Sequence, residues 1–331
     1  MKKIVASLLT FALIMPSVLF AAERVSPKFN AENSLIYFPM KHKNLILSGQ
    51  QFYSSKQLTN KNSWEEENFS YTRNDQLNSV IDDNVVSYRN YNYVIINAGE
   101  ATKNDFTTTS TEIWRLKREN PQQFNQVLQK DATGTNNFIK LTKFKNKLYA
   151  VSQNGSVFKT KNGTKWEAVA SPSLPENINV TDLAASVNKI YLAANNIVYS
   201  SKNGQTWKKI KGDYREEDAQ KIVIFNDQLY IYTINDNDKA SVWQKNNNKW
   251  EKVLSGQKEM YLLKQINDNL YIIKDTTQNE QEASYSVLES ADGQTFTEIH
   301  SGQDIATQMY NNDENLLLLV SKEDENYLVK L

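Results

Sequence analysis

The chain has 331 residues with 38 Lys plus Arg against 38 Asp plus Glu, so no overall field draws it to nucleic acid or anionic lipid. It contains no cysteine, which removes disulfides, thiol catalysis, thiolate metal ligation and a lipid-modified cysteine together. Its length is ample for a core that holds an exported chain without disulfides.

Residues 1–22 read as a secretory signal: Lys2 and Lys3 precede an apolar run from Ile4 to Ile14, then Pro16 and the small pair Ala21 and Ala22. The run is too short for a retained membrane span. Cleavage near Ala22 leaves residues 23–331 as one domain, expected in the periplasm or secreted, with no transmembrane segment.

A turn followed by an apolar strand then recurs along the chain. Its clear members are Lys145-Asn146-Lys147-Leu148-Tyr149, Val187-Asn188-Lys189-Ile190-Tyr191, Phe225-Asn226-Asp227-Gln228-Leu229-Tyr230 and Ile266-Asn267-Asp268-Asn269-Leu270-Tyr271. With weaker members at Leu45, Tyr93 and Leu316, the steps are 48, 55, 42, 39, 41 and 46 residues. Seven units with several short strands each predict an all-β fold, a seven-bladed β-propeller of four-stranded antiparallel blades. In unit four the strands are expected over Val180–Val187, Ile190–Ala194, Ile197–Ser201 and Trp207–Ile210; in unit five over Ile222–Phe225, Leu229–Ile234, Val242–Gln244 and Trp250–Leu254. The last unit has only three strands, Ile305–Tyr310, Leu316–Ser321 and Tyr327–Leu331. An N-terminal strand within Val25–Phe29 is expected to complete it and close the ring, which hides two sheet edges and makes both chain ends essential. Periodic stretches at Asp213–Lys221 and Asn120–Lys130 are the only hints of helix.

A second repeat is sharper. Ser201-Lys202-Asn203-Gly204-Gln205-Thr206-Trp207 has two short polar side chains able to bond turn amides, a glycine for positive φ, and a large anchor entering the next strand. Copies stand at Thr160-Lys161-Asn162-Gly163-Thr164-Lys165-Trp166 and Ser290-Ala291-Asp292-Gly293-Gln294-Thr295-Phe296, with degenerate ones ending at Trp64 and Trp250. These segments resemble the Asp-box of bacterial-neuraminidase repeats, Ser-x-Asp-x-Gly-x-Thr-Trp, with a spacer one residue shorter and Asn often in place of Asp. The resemblance implies a structural hairpin between the third and fourth strands of a sialidase-like propeller blade, away from the ligand face. It makes Thr160, Asn162, Gly163, Trp166, Ser201, Asn203, Gly204, Trp207, Ser290, Asp292, Gly293 and Phe296 structural.

Ligands of propellers usually sit on the face that gathers the loops between blades and between second and third strands. Here those loops are expected at Asn74–Asn84, Gln129–Asn137, Ser171–Asn179, Lys211–Gln220, Gly99–Ser110, Asn235–Ala240 and Asp275–Ala283. The densest polar group, Asp213-Tyr214-Arg215-Glu216-Glu217-Asp218, has two readings: a site with Tyr214 and Arg215 as platform and Glu217 or Asp218 as acid or base, or a solvated loop. Asn235-Asp236-Asn237-Asp238 offers hard oxygens for calcium but lacks the glycine and glutamate of an EF-hand, so a hairpin tip is expected. His42 and His300 lie in different units, and neither a metal site nor a cofactor site is expected.

The resemblance raises sialidase activity, which needs three arginines from different blades. The six arginines are Arg24, Arg73, Arg89, Arg115, Arg118 and Arg215, none followed by Ile-Pro, so that grip is hard to build. Lys140, Lys143, Lys145 and Lys147 beside Phe138 and Phe144 read as a solvated strand edge rather than a nucleic-acid stripe. The expectation is a non-catalytic scaffold binding a protein partner or assembly intermediate. The alternative is a glycan-binding or glycoside-hydrolysing propeller, with Tyr53, Tyr88, Tyr91, Trp114, Tyr214 and Trp243 as stacking surfaces or as packing between blades.

Overall fold

A computed structural model describes residues 23–30, 35–48, 51–56, 61–67, 79–80, 85–102, 105–119, 121, 123–132, 135–171, 173–212, 214, 217–247, 249–257, 260–277, 283–311, 315–322 and 325–331. These residues form seven antiparallel sheets and no helix, a seven-bladed β-propeller. No helix among them is long and apolar enough to cross a membrane, which says nothing of strands. The innermost strands of the blades are Leu35–Pro39, Val86–Tyr88 with Ser79–Val80, Phe138–Phe144, Val180–Ala185, Glu217–Phe225, Met260–Ile266 and Ile305–Asn311.

Each blade is a meander, so its strands alternate in direction. The loops between blades and between second and third strands therefore open on one side, the loop face. The remaining tight turns form the other side, the turn face. In blade four the strands are Val180–Ala185, Ile190–Ala194, Ile197–Ser201 and Lys208–Ile210. The first ends two residues before the expected Val187, because Ser186 to Lys189 close the turn: the Ser186 amide donates to the Lys189 carbonyl, 2.8 Å.

The seventh blade takes its outer strand from the other end of the chain. Glu23 pairs with Lys330, Arg24 with Val329 and Phe29 with Asn326. Between them the Leu328 amide donates to Ser26 Oγ, 2.8 Å. Val25, Phe29, Tyr310, Leu319 and Leu328 pack with Leu35, Tyr37 and Ile46 of blade one, and Trp64 Nε1 donates to the Val25 carbonyl, 2.8 Å.

Two expectations are corrected. The stretch Gly99–Ser110 is no loop: strands Tyr91–Thr102 and Asp105–Lys117 run through it as a long hairpin. Its run of threonines suits a strand through β-branching. The helix hints also fail, since Glu217–Phe225 and Phe124–Asp131 are strands. Burial of Ala219 and Ile222 against blade four, and of Phe225 against blade six, overrides local helical preference there.

The two sequence repeats meet across blade boundaries. In three boxes the first hydroxyl accepts the glycine amide: Thr160 from Gly163, Ser201 from Gly204 and Ser290 from Gly293, at 2.8–2.9 Å. Asn162, Asn203 and Asp292 each accept the next two amides through one oxygen, at 2.8–3.0 Å. The glycines have φ of +82, +76 and +75° and lie against Tyr93, Tyr149 and Tyr230 of the preceding blade. Tyr149 and Tyr230 come from the Leu-Tyr turn repeat and Tyr93 from its weaker member in blade two, so one motif supplies a ring and the other a residue without a side chain to receive it. The anchors Trp207 and Trp250 are buried, while Trp166, Phe296 and Trp64 are half-buried.

Candidate functional site

On the loop face of blade five, one polar cluster crosses all four strands. Glu217 opens the first strand, 8% exposed. Thr233 of the second strand donates to its Oε2, Trp243 Nε1 of the third donates to the same oxygen at 3.0 Å, and Lys252 of the fourth donates to Oε1 at 2.9 Å. Lys252 Nζ also lies 4.5 Å from the centre of the Trp243 ring. Burial acts to raise the Glu217 carboxyl, but the bonds from Thr233, Lys252 and Trp243 outweigh it and hold it below the ordinary glutamate value. A carboxylate so held is a poor proton donor and has its lone pairs directed at fixed donors, so its chemistry is structural.

The neighbours expected to join it do not. Tyr214 is 2% exposed; its ring meets Trp250 edge-on at 4.9 Å, and its hydroxyl accepts the Val198 amide, 3.1 Å. It wedges blades four and five together instead of offering a platform, because a ring beside Gly212 fills space that any Cβ would take. Asp218 is exposed and points away from Glu217 in the strand alternation. Arg215 lies outside the described residues.

Blade two repeats the theme. Glu112, 2% exposed, accepts from Ser110 Oγ at 2.8 Å and Trp114 Nε1 at 2.7 Å. Of the other aromatic candidates, Tyr88 is buried and donates to the carbonyls of Asn146 and Lys161, Tyr53 packs on Phe29, and the Arg115 guanidinium covers Tyr91 at 4.3 Å. Asn235 to Asp238 form a hairpin tip in which Asn235 Oδ1 accepts the amides of Asn237 and Lys239 at 2.9 and 3.0 Å. His42 is exposed, and His300 Nε2 lies 3.2 Å from the Tyr285 hydroxyl. Among the described residues no group of three or more His, Asp or Glu could hold a metal.

A cavity of about 270 Å³ lies where the inner strands of blades two to six converge, lined by Lys140, Asp182, Lys221 and Lys264 among others. Lys140 Nζ stands 3.6 Å from Asp182 Oδ1, whose other oxygen accepts the Ile222 amide at 2.8 Å. Lys140 thus belongs to the channel, not to a solvated edge. These inner-strand residues escaped the sequence reading, although Lys140, Asp182 and Lys221 sit at equivalent one-residue bulges and aligned repeats would have singled them out.

Among the described residues the longest hairpin on the loop face is that of blade two. Its pairing with the outer strand begins at Ser110 opposite Asp131, yet the hairpin continues to Asp105 opposite Thr102. Next to the Ser110–Asp131 rung the Thr109 carbonyl still accepts the Ala132 amide, 3.0 Å, and among the described residues no strand pairs with the edge from 105 to 108.

Residues 211–331 match a family described as the DUF6242 beta propeller domain. No curated protein matches the sequence. Among solved structures, one titled "YCF48 bound to D1 peptide" is 12% identical with a TM-score of 0.61, covering 96% of this chain and 96% of that one. YCF48 from Cyanidioschyzon merolae is 11% identical, TM-score 0.60, covering 94% of this chain and 98% of its own. An ancestral GH74 enzyme is 14% identical, TM-score 0.58, over 93% of this chain but 46% of its own. At these identities the likeness is one of fold, and that fold is the β-propeller.

Proposed function

We propose that the chain is a non-catalytic binding propeller that holds an extended segment of a protein partner on its loop face. The observation that carries this reading is the blade-two hairpin, whose backbone edge from 105 to 108 pairs with no strand among the described residues, so that a polypeptide strand can add there by main-chain hydrogen bonds. The engaged state of Glu217 and the burial of Tyr214 count against hydrolysis at the place where the sequence best suggested it. The fold likeness to YCF48 in a peptide complex supports it at the level of architecture.

A photo-crosslinker attached through Thr108→Cys, unique in a cysteine-free chain, tests the reading in extracts of the source cell. One dominant polypeptide adduct is expected, lost when residues 99–109 are replaced by a two-residue turn while the melting temperature holds. Adducts that persist after that replacement would reject the hairpin as the docking edge. Hydrolysis of a fluorogenic glycoside panel by the same preparation would reject the non-catalytic reading.

A further inference from the structure

The zero net charge conceals a division. Residues 138–211, blades three and four, hold twelve lysines and three acids, a net of +9; residues 212–331 hold eleven bases and twenty-two acids, a net of −11. The division is sharpest on the turn face. Its four tight turns in blades three and four, 145–147, 161–165, 186–189 and 202–206, contain six lysines and no acid.

Equivalent positions of other blades show that turn formation does not demand this. Asp292 accepts its two amides in the geometry that Asn162 and Asn203 use, yet carries a charge that they lack. Where blades three and four have Lys145-Asn146-Lys147 and Asn188-Lys189, blades five and six have Asn226-Asp227-Gln228 and Asn267-Asp268-Asn269. Blades three and five make the same turn, with left-handed φ at Lys145 and Asn146 in one and at Asn226 and Asp227 in the other. The fold accepts either sign, so the sign on blades three and four is independent of what the hairpins need.

Among the described residues no acid neutralises these lysines; Lys145 Nζ donates to the Lys202 carbonyl, 3.0 Å, which leaves its charge in place. Lys145, Lys161, Lys165 and Lys202 are exposed and Lys147 and Lys189 half-exposed, and among the described residues none of the six joins an ion pair. Lys189, Lys202 and Lys208 also border a cavity of about 380 Å³ with Ser200, Ser201 and Thr206. Among them stands Val187, 76% exposed and the most exposed large apolar side chain described. No arginine lies between Arg118 and Arg215. Protein interfaces and phosphate forks favour arginine, whereas lysine acts as a hydrated point charge on a long apolar stem. Short turns carrying lysines and one bare aliphatic residue, with no helix among the described residues to enter a groove, fit a planar anionic surface.

We infer that the turn face of blades three and four docks on an anionic lipid bilayer, with Val187 at the contact and the acidic blades turned away. This face is opposite the loop face, and the inference does not rest on the partner reading. The lysines attract anionic headgroups cooperatively, and screening by salt weakens them.

The test uses Glu23 to Leu331, which carries every described strand, with vesicles of phosphatidylcholine alone or mixed with phosphatidylglycerol. Partition onto the anionic vesicles is expected to be at least about tenfold greater, and to vanish near ~1 M salt where the screening length falls to about 3 Å. An environment-sensitive dye on Val187→Cys is expected to shift to the blue on anionic vesicles, while the same dye on Asn237→Cys at a loop-face tip does not. Lys145→Glu, Lys161→Glu and Lys202→Glu together should abolish partition with the melting temperature held. Equal partition on both vesicles, a dye at 187 that stays in water, or binding of polyglutamate or an oligonucleotide with vesicles ignored would each overturn the inference. The dye arm stands even where the triple variant fails to fold.

Discussion

Gly163→Ala puts the inter-blade lock under direct strain. Gly163 has φ +82°, where a side chain costs about 1–2 kcal/mol. An ideal Cβ there stands 1.8 Å from the Tyr93 hydroxyl oxygen and 2.8 Å from Cζ, and Tyr93 is fully buried, with no free space to retreat into. Overpacking of that kind costs about 1–3 kcal/mol, so the total is roughly 2–5 kcal/mol, a fall in melting temperature of roughly 3–8 °C for a chain of this size. Thermal melting by circular dichroism reads it, alongside Tyr93→Phe and the double variant. Removing the hydroxyl takes away the nearest clash but leaves the backbone cost, so Gly163→Ala should be milder in the Tyr93→Phe background. A variant that melts within a degree of the parent would refute the lock. Strict additivity of the two changes would refute the clash while leaving the φ cost.

Further outcomes follow from the same geometry. Deleting residues 23–30 strips blade seven of its outer strand and of the Ser26 and Val25 bonds to Leu328 and Trp64. The edge of Glu325–Lys330 is then bare, and a lowered urea midpoint with concentration-dependent association by gel filtration is expected; an unchanged monomer would contradict the closure described. Glu217→Gln sets an amide donor against Lys252, at a cost of about 1–3 kcal/mol at pH 7. Because the folded carboxyl lies below its unfolded value, its contribution is full above the unfolded value and fades as pH falls through the folded one. The variant and parent should therefore converge in urea melts run in acid, and a gap that is constant with pH would sink the assignment. Asp292 is held at about 2 by the amides of Thr295 and Gln294 and by Ser290. The stability it confers is present above the unfolded value near 4 and is lost as pH falls towards 2. Asp292→Asn should flatten acid sensitivity in that window, since Asn162 and Asn203 make the same turn without titrating.

Blade number, strand order and the borrowed strand of the last blade were legible in the sequence because each follows from local chemistry. Turn residues recur at a fixed spacing, strand patterns alternate, and a final unit with three strands lacks its outer edge. The box turns were legible for the same reason: the side chains of Ser201 and Asn203 accept amides two or three residues further on. The site was not. Tyr214 and Glu217 lie three residues apart in one polar run, yet the first faces the blade-four boundary and the second faces Thr233, Trp243 and Lys252. Which neighbour each meets depends on how blades pack, not on the run itself. The threonines of the blade-two hairpin looked like loop because nothing nearby said what strand they would pair with. Charge division was in the sequence throughout, but as a count along the chain; that the lysines of 145, 161, 189 and 202 share one face, around Val187, was decided only when the meanders closed into a ring and brought turns far apart in the chain side by side.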